Sequence, residues 1–209
     1  MQVLFFFQLF PIISIVSIFL LLLIVLTSTC HASASAKVFS NSQSAYYNNC
    51  GTYAVNGLGK LGYSCTSSMG AITKDSMLQW IRNTGNGYAM YVHTLGGDGY
   101  FNDYYGSSID SSMISGNWDF VFIDSSSSAA SATLANAFHT TGYSNRCFLG
   151  WYNSVYTSNA ETFGYYFWLT YIGTGAVRNA AINAAARVPG SGTTPIRLYG
   201  STTYTGAAR

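Results

Sequence analysis

Residues 118–128 read WDFVFIDSSSS, an apolar run that ends abruptly in a carboxylate and four serines. A short apolar run with polar residues after it is typical of a strand that is buried on both faces of a parallel sheet. Two similar runs lie on either side of it in the chain, Tyr88–His93 and Cys147–Trp151. The sequence therefore predicts three core strands, over residues 88–93, 118–124 and 147–151.

Segments with helical periodicity separate these runs. We predict helices over residues 46–61, 72–81, 129–139, 159–172 and 176–187, and further short strands over residues 37–40, 63–66 and 196–200. The Gly-rich stretch 96–99 leads into a Tyr-rich, hairpin-like segment that ends at Ser108. Strands that alternate with helices favour an α/β fold with a mainly parallel sheet and helices on its faces.

Residues that can carry chemistry follow two of the predicted core strands. One strand ends at His93, and the other ends at Asp124, directly before the serine run. In open parallel sheets, ligands bind beyond the carboxyl ends of the strands. We therefore expect the functional site at this edge of the sheet.

Segments 88–99 and 118–129 resemble the cysteine peptidase clan of caspases, legumains and gingipains. In that clan one strand ends in the general-base His, and the next core strand ends in an acidic or polar residue, a small residue and the nucleophilic Cys. The same layout here puts His93 at the base position and Ser126 at the nucleophile position. The resemblance extends over about residues 46–200, and it implies a three-layer, caspase-like fold with a mainly parallel central sheet flanked by helices.

The departures from the clan bear on activity. Ser126 stands where the thiol is required, and Thr94 stands where a Gly usually follows the His. A hydroxyl, unlike a thiol, needs a base that is held and polarised by a third group. The sequence suggests no third group for His93, so we expect that most peptidase activity is lost. The resemblance also implies that Asp124 binds substrate, in the pocket for a basic or amide residue before the scissile bond.

Plainer interpretations of the same residues remain open. His93 can be an ordinary buried histidine, and the serine run can be a loop and a helix N-cap. Two functions follow: a degenerate or weak hydrolase in which Ser126 replaces the catalytic Cys, and a non-catalytic extracellular binding or surface-assembly protein. Both predict a peptide or protein ligand in the cleft.

The N-terminal segment predicts export. Residues 3–26 carry no charged side chain, and Ala34-Ser35-Ala36 has the small-x-small form of a signal-peptidase site. We predict a signal peptide at residues 1–36 and a single domain at residues 37–209. The apolar run is also about 20 residues long, enough to span a bilayer, so an uncleaved anchor is the alternative. Either way the domain is secreted or anchored to the outer face of the cytoplasmic membrane, and this segment is its only predicted membrane contact.

Composition and cysteine content indicate which ligands and cross-links to expect. Charged residues make up 8% of the chain, the net charge is +2, and the basic residues do not cluster, so nucleic acid binding is not expected.

Cys50 and Cys65 are the nearest candidates for a disulfide, and three buried reduced thiols, with Cys147, are the alternative. Cys147 begins its strand, so it should lie at the edge opposite His93. No Cys-x-x-Cys or His/Cys cluster is present, and we predict no metal site and no cofactor.

Overall fold

The computed structural model of the chain describes residues 34–41, 45–82, 87–190 and 196–207. These residues belong to one compact unit. Residues 1–33 of the predicted export segment lie outside the described residues. Within the described part of the chain, no helix combines the length and the apolar character that crossing a membrane requires.

The described elements alternate between strands and helices along the chain. The strands are β1 (Ser35–Ser40), β2 (Ser64–Met69), β3 (Tyr88–His93), β4 (Gly96–Gly97), β5 (Tyr100–Asn102), β6 (Ser108–Asp110), β7 (Phe120–Asp124), β8 (Cys147–Trp151) and β9 (Ile196–Gly200). The helices are α1 (Ala45–Lys60), α2 (Lys74–Ile81), α3 (Thr133–Ala137), α4 (Thr157–Gly164) and α5 (Val177–Ala185). A π-helix (Tyr165–Tyr171) continues α4, and a single 3₁₀ turn (Ser111–Met113) follows β6.

Six strands form the central sheet in the order β2-β1-β3-β7-β8-β9. All neighbouring pairs are parallel except β8 and β9, which run antiparallel. The short strands β4, β5 and β6 form a separate antiparallel sheet, which corresponds to the predicted hairpin-like segment. The predicted α/β class with a mainly parallel sheet is confirmed.

Two apolar cores lie on opposite faces of the central sheet. Side chains alternate between the faces along each strand: Phe120 and Phe122 of β7 belong to one core, and Val121 and Ile123 to the other. Helix α1, α4 with its π-helical extension, and α5 cover the first face. Helices α2 and α3 and the small antiparallel sheet cover the second. The result is a three-layer arrangement around a sheet whose inner strands β7 and β8 are fully buried.

Several predicted element boundaries differ from the observed ones. Strand β7 begins at Phe120 instead of residue 118, and the helix predicted over residues 129–139 forms only over Thr133–Ala137, because turns occupy residues 126–129. The helix predicted over residues 159–172 continues from Thr157 as an α-helix and then as a π-helix. Strand β1 begins at Ser35, so two residues of the predicted leader take part in the sheet, and Ala36 is 1% exposed.

Candidate functional site

The carboxyl ends of three neighbouring strands meet at one edge of the sheet. The register pairs Ser40 of β1 with His93 of β3, and His93 with Asp124 of β7. His93 lies two residues after Tyr91, and Asp124 two residues after Phe122, so both side chains point to the face that α1 covers. The edge expected from the sequence therefore brings His93 and Asp124 side by side.

His93 and Asp124 form a buried hydrogen-bonded pair. The Nδ1 atom of His93 lies 2.7 Å from Oδ2 of Asp124, and the two residues are 3% and 1% exposed. The expectation that His93 lacks a third group was wrong, because Asp124 is bonded to the imidazole. A carboxylate in this position fixes the orientation of the ring and its tautomer.

Two aromatic side chains complete the contacts of the Asp124 carboxylate. The Tyr91 hydroxyl donates to Oδ2 at 2.6 Å, and the Trp151 indole Nε1–H donates to Oδ1 at 2.5 Å. Burial, and then the nearby Asp124 carboxylate, raise the pKa of Tyr91 well above its ordinary value, so the phenol remains a donor. A substrate could touch Asp124 only if these bonds opened; its substrate-binding role stays a prediction.

The sequence analysis did not identify Tyr91 and Trp151 as site residues. Trp151 ends a predicted core strand, and it is fully buried while its indole also donates to Asp124. The signal for Tyr91 was its position two residues before His93, which puts both rings on one face of β3. Their ring centroids lie 6.4 Å apart at an interplanar angle of 19°.

Helix α1 adds a thiol to this pair. The ligand atoms of Cys50, His93 and Asp124 all lie within 4.8 Å of one another. Cys50 is fully buried, and this desolvation, together with the Asp124 charge, raises the pKa of its thiol far above the ordinary value. The thiol is therefore protonated at neutral pH, and it is not an exposed nucleophile.

Ser126 lies two residues beyond β7 and is half-buried. Its Oγ accepts a hydrogen bond from the backbone N–H of Val155 at 3.1 Å and lies 3.5 Å from the carbonyl oxygen of the same residue. Among the described residues, these are the hydrogen bonds of its hydroxyl. The predicted nucleophile position thus contacts the loop after β8.

The serine run forms a tight turn in place of the suggested helix N-cap. Ser128 Oγ donates to the carbonyl of Ile123 at 2.6 Å and accepts from the N–H of Trp151 at 3.1 Å. Ser127 adopts a positive φ of 58°, a conformation that costs a residue with a Cβ atom some strain. Helix α3 starts later, and its N-cap, Ala132, makes no side-chain capping bond. The serines hold the turn against the ends of β7 and β8.

Thr94, which stands where a Gly usually follows the His, is buried and hydrogen-bonded. Thr94 is 5% exposed, and its hydroxyl donates to the carbonyl of Asn102 at 2.7 Å. Ser125 lies close to Gly96, where an added Cβ would come within 2.5 Å of the Ser125 Oγ. The small antiparallel sheet therefore packs directly on the turn that carries Ser126.

The three cysteines of the described chain form no disulfide. The predicted Cys50–Cys65 bond is thus absent, and the alternative of reduced thiols fits, although Cys65 is only half-buried. Cys147 pairs in register with Phe120 at the start of β7, so it lies at the edge opposite His93, as expected.

The fold resembles that of caspase-1 from Spodoptera frugiperda. The two structures superpose with a TM-score of 0.53 at 10% sequence identity, over 85% of this chain and 91% of that chain. No protein-family model matches the sequence, and no curated protein matches it. At this identity the likeness concerns the fold alone, and the fold is caspase-like.

Proposed function

We propose that the chain is an exported caspase-like domain with weak or no hydrolase activity, in which Ser126 occupies the position of the catalytic Cys. The position of the His93 and Asp124 strand ends within a caspase-like fold supports the family part of the proposal. The Ser126 hydroxyl is hydrogen-bonded to the backbone of Val155. This orientation supports the proposed loss of activity. Export rests on the uncharged apolar leader.

The His93–Asp124 pair supplies two of the three groups that a serine hydrolase uses. In a serine hydrolase, a carboxylate orients the imidazole, and the imidazole takes the proton of the attacking hydroxyl. Asp124 can perform the first task here, since it lies 2.7 Å from His93 Nδ1. Attack by Ser126 would require its hydroxyl to leave Val155 and turn toward His93, which is 3% exposed. These two requirements make turnover slow.

The exposed side chains beside this edge favour the non-catalytic alternative, a protein that binds peptides. Leu95, two residues after His93, is 68% exposed, and Tyr152 and Tyr156, which follow β8, are 43% and 80% exposed. The guanidinium of Arg197 lies 3.8 Å from the centroid of the Tyr152 ring. Aromatic and Arg side chains are enriched where proteins bind other chains, and here exposed Tyr residues lie beside a half-buried Arg.

Peptide hydrolysis tests the proposal and separates the two functions. We would compare the natural chain with Ser126→Ala, Ser126→Cys and His93→Ala on a fluorogenic peptide library. Weak turnover that Ser126→Ala abolishes indicates a residual hydrolase. Peptide binding without turnover indicates the binding protein. Turnover that survives both Ser126→Ala and His93→Ala would contradict the proposal, because the activity would reside elsewhere.

A further inference from the structure

Cys50, His93 and Asp124 converge from three separate elements. Cys50 comes from α1, His93 from the end of β3 and Asp124 from the end of β7. One thiol sulfur, one imidazole nitrogen and one carboxylate oxygen lie within 4.8 Å of one another. The three residues are 0%, 3% and 1% exposed. Peptide hydrolysis as proposed above uses His93 and Asp124 but leaves Cys50 without a role.

These three donor types are the ones that zinc takes in proteins. A tetrahedral zinc ion with bonds of about 2.0–2.3 Å places its ligand atoms roughly 3.3–3.7 Å apart. The present separations, up to 4.8 Å across the cluster and 2.7 Å between His93 and Asp124, differ from this range by about 1 Å. Small side-chain rotations would accommodate the ion.

Charge balance also suits a divalent ion. Binding the ion would displace the proton of the Cys50 thiol. The resulting thiolate, the Asp124 carboxylate and a neutral His93 imidazole would then cancel two positive charges, so the complex would be neutral. Neutrality matters here because an unbalanced buried charge is costly. Among the described residues, no Lys or Arg donates a hydrogen bond to Asp124, whose carboxylate contacts Tyr91, His93 and Trp151.

The surroundings hold the carboxylate as metal sites usually require. Outer hydrogen bonds commonly orient the ligands of a metal. The Trp151 indole holds Oδ1 of Asp124 at 2.5 Å, and the Tyr91 hydroxyl holds Oδ2 at 2.6 Å. Both donors are buried aromatic residues of the adjacent strands.

We propose that Cys50, His93 and Asp124 bind one zinc ion at the carboxyl edge of the central sheet. The proposal rests on the convergence of these three ligand atoms, and it does not depend on whether the chain hydrolyses peptides. Bound zinc would keep His93 from acting as a base, and it would join α1 to the two central strands.

Cobalt, a spectroscopic substitute for zinc, tests the site directly. The full chain, freed of metal with a chelator, is titrated with Co²⁺ and then with Zn²⁺. We expect one equivalent to produce a thiolate-to-cobalt charge-transfer band and tetrahedral visible bands, both removed by zinc. Cys50→Ser and Asp124→Asn should lose the charge-transfer band or weaken binding at least tenfold. Cys147→Ser, an equally buried thiol at the other edge, should keep both.

X-ray absorption on the natural chain loaded with zinc covers the case in which a variant fails to fold. We expect one sulfur neighbour at about 2.3 Å together with nitrogen or oxygen neighbours. No bound metal, a zinc shell without sulfur, or unchanged binding by a folded Cys50→Ser variant would each overturn the proposal and leave the cluster a hydrogen-bond network. None of these readings depends on peptide turnover, so failure of the site and failure of the proposed function are distinguishable.

Discussion

At the residue scale, Asp124 is the buried carboxylate to which side chains of the neighbouring strands are hydrogen-bonded. Its carboxylate is buried, and it accepts hydrogen bonds from Tyr91 and Trp151 and lies against the His93 imidazole. The identity of the residue could be predicted from the strand-end pattern. Its partners could not, because Trp151 reaches it from another strand, and the contact depends on the register between β7 and β8.

Replacing Asp124 by Asn should destabilise the fold. An amide keeps the shape but presents N–H groups where the carboxylate accepted hydrogen bonds, so at least one buried donor loses its acceptor. We expect a loss of about 2–4 kcal/mol in the free energy of unfolding. Urea unfolding followed by tryptophan fluorescence measures it. The exposed Asp75→Asn in the first turn of α2 is the control, with a change of no more than about 1 kcal/mol. Equal losses in the two variants would contradict this role of Asp124.

Helix α1 shows how a pattern that weakens a helix can serve packing. Gly51 and Gly57 lower helix propensity, and they lie where the helix approaches the sheet and the π-helix. A Cβ at Gly51 would meet the Ser40 Cβ at 3.0 Å, and a Cβ at Gly57 would collide with the Trp168 ring. The helix itself could be predicted from its apolar positions. The approach that brings Cys50 to His93 could not, because it depends on which face of the helix these glycines open.

Two alanine substitutions in α1 separate packing from propensity. Gly57→Ala should lower stability by about 1–3 kcal/mol, because Trp168 is fully buried and cannot move away without cost. Gly59→Ala in the same helix meets nothing within 4 Å, so it should raise stability by up to about 1 kcal/mol. Chemical unfolding of both variants measures the difference. If Gly57→Ala were as stable as Gly59→Ala, the close contact of α1 with the π-helix would be wrong.

At the scale of the whole molecule, the fold depends on the pattern of apolar and polar positions more than on the identity of individual residues. The chain shares a caspase-like fold over 85% of its length at 10% identity. The predicted strands over residues 88–93 and 147–151 coincide with β3 and β8, because they are uninterrupted apolar runs. The short α3 and the π-helix were not foreseen, since both depend on tertiary contacts that a local pattern does not encode.

Alkaline pH should unfold the domain, because its interior holds several neutral acids. Burial raises the pKa of Cys65 to about 11. Burial likewise raises the pKa of Cys147, Tyr63 and Tyr204 further, and the two phenols are hydrogen-bonded to each other. Each raised pKa contributes stability that is present below the ordinary value and is lost as pH rises through the folded value. The thermal midpoint should therefore fall steadily above about pH 9. Tyr63→Phe should make the fall shallower between about pH 10 and 11; an unchanged midpoint from pH 8 to 11 would contradict the buried assignments.

The proposed function requires that Ser126 stand at this sheet edge where a cysteine peptidase has its thiol, within reach of His93. The most direct measurement is the labelling rate of Ser126→Cys by a peptide electrophile in the presence of chelator. The peptide carries a basic or amide residue next to the reactive group. The controls are the natural chain and Ser127→Cys, a half-buried thiol one residue further along the turn.

If His93 acts as the base for position 126, Ser126→Cys should be labelled about 10²-fold faster than Ser127→Cys, the lower range for general-base assistance. Adding His93→Ala should remove that advantage. Equal labelling of Ser126→Cys with and without His93 would contradict the account.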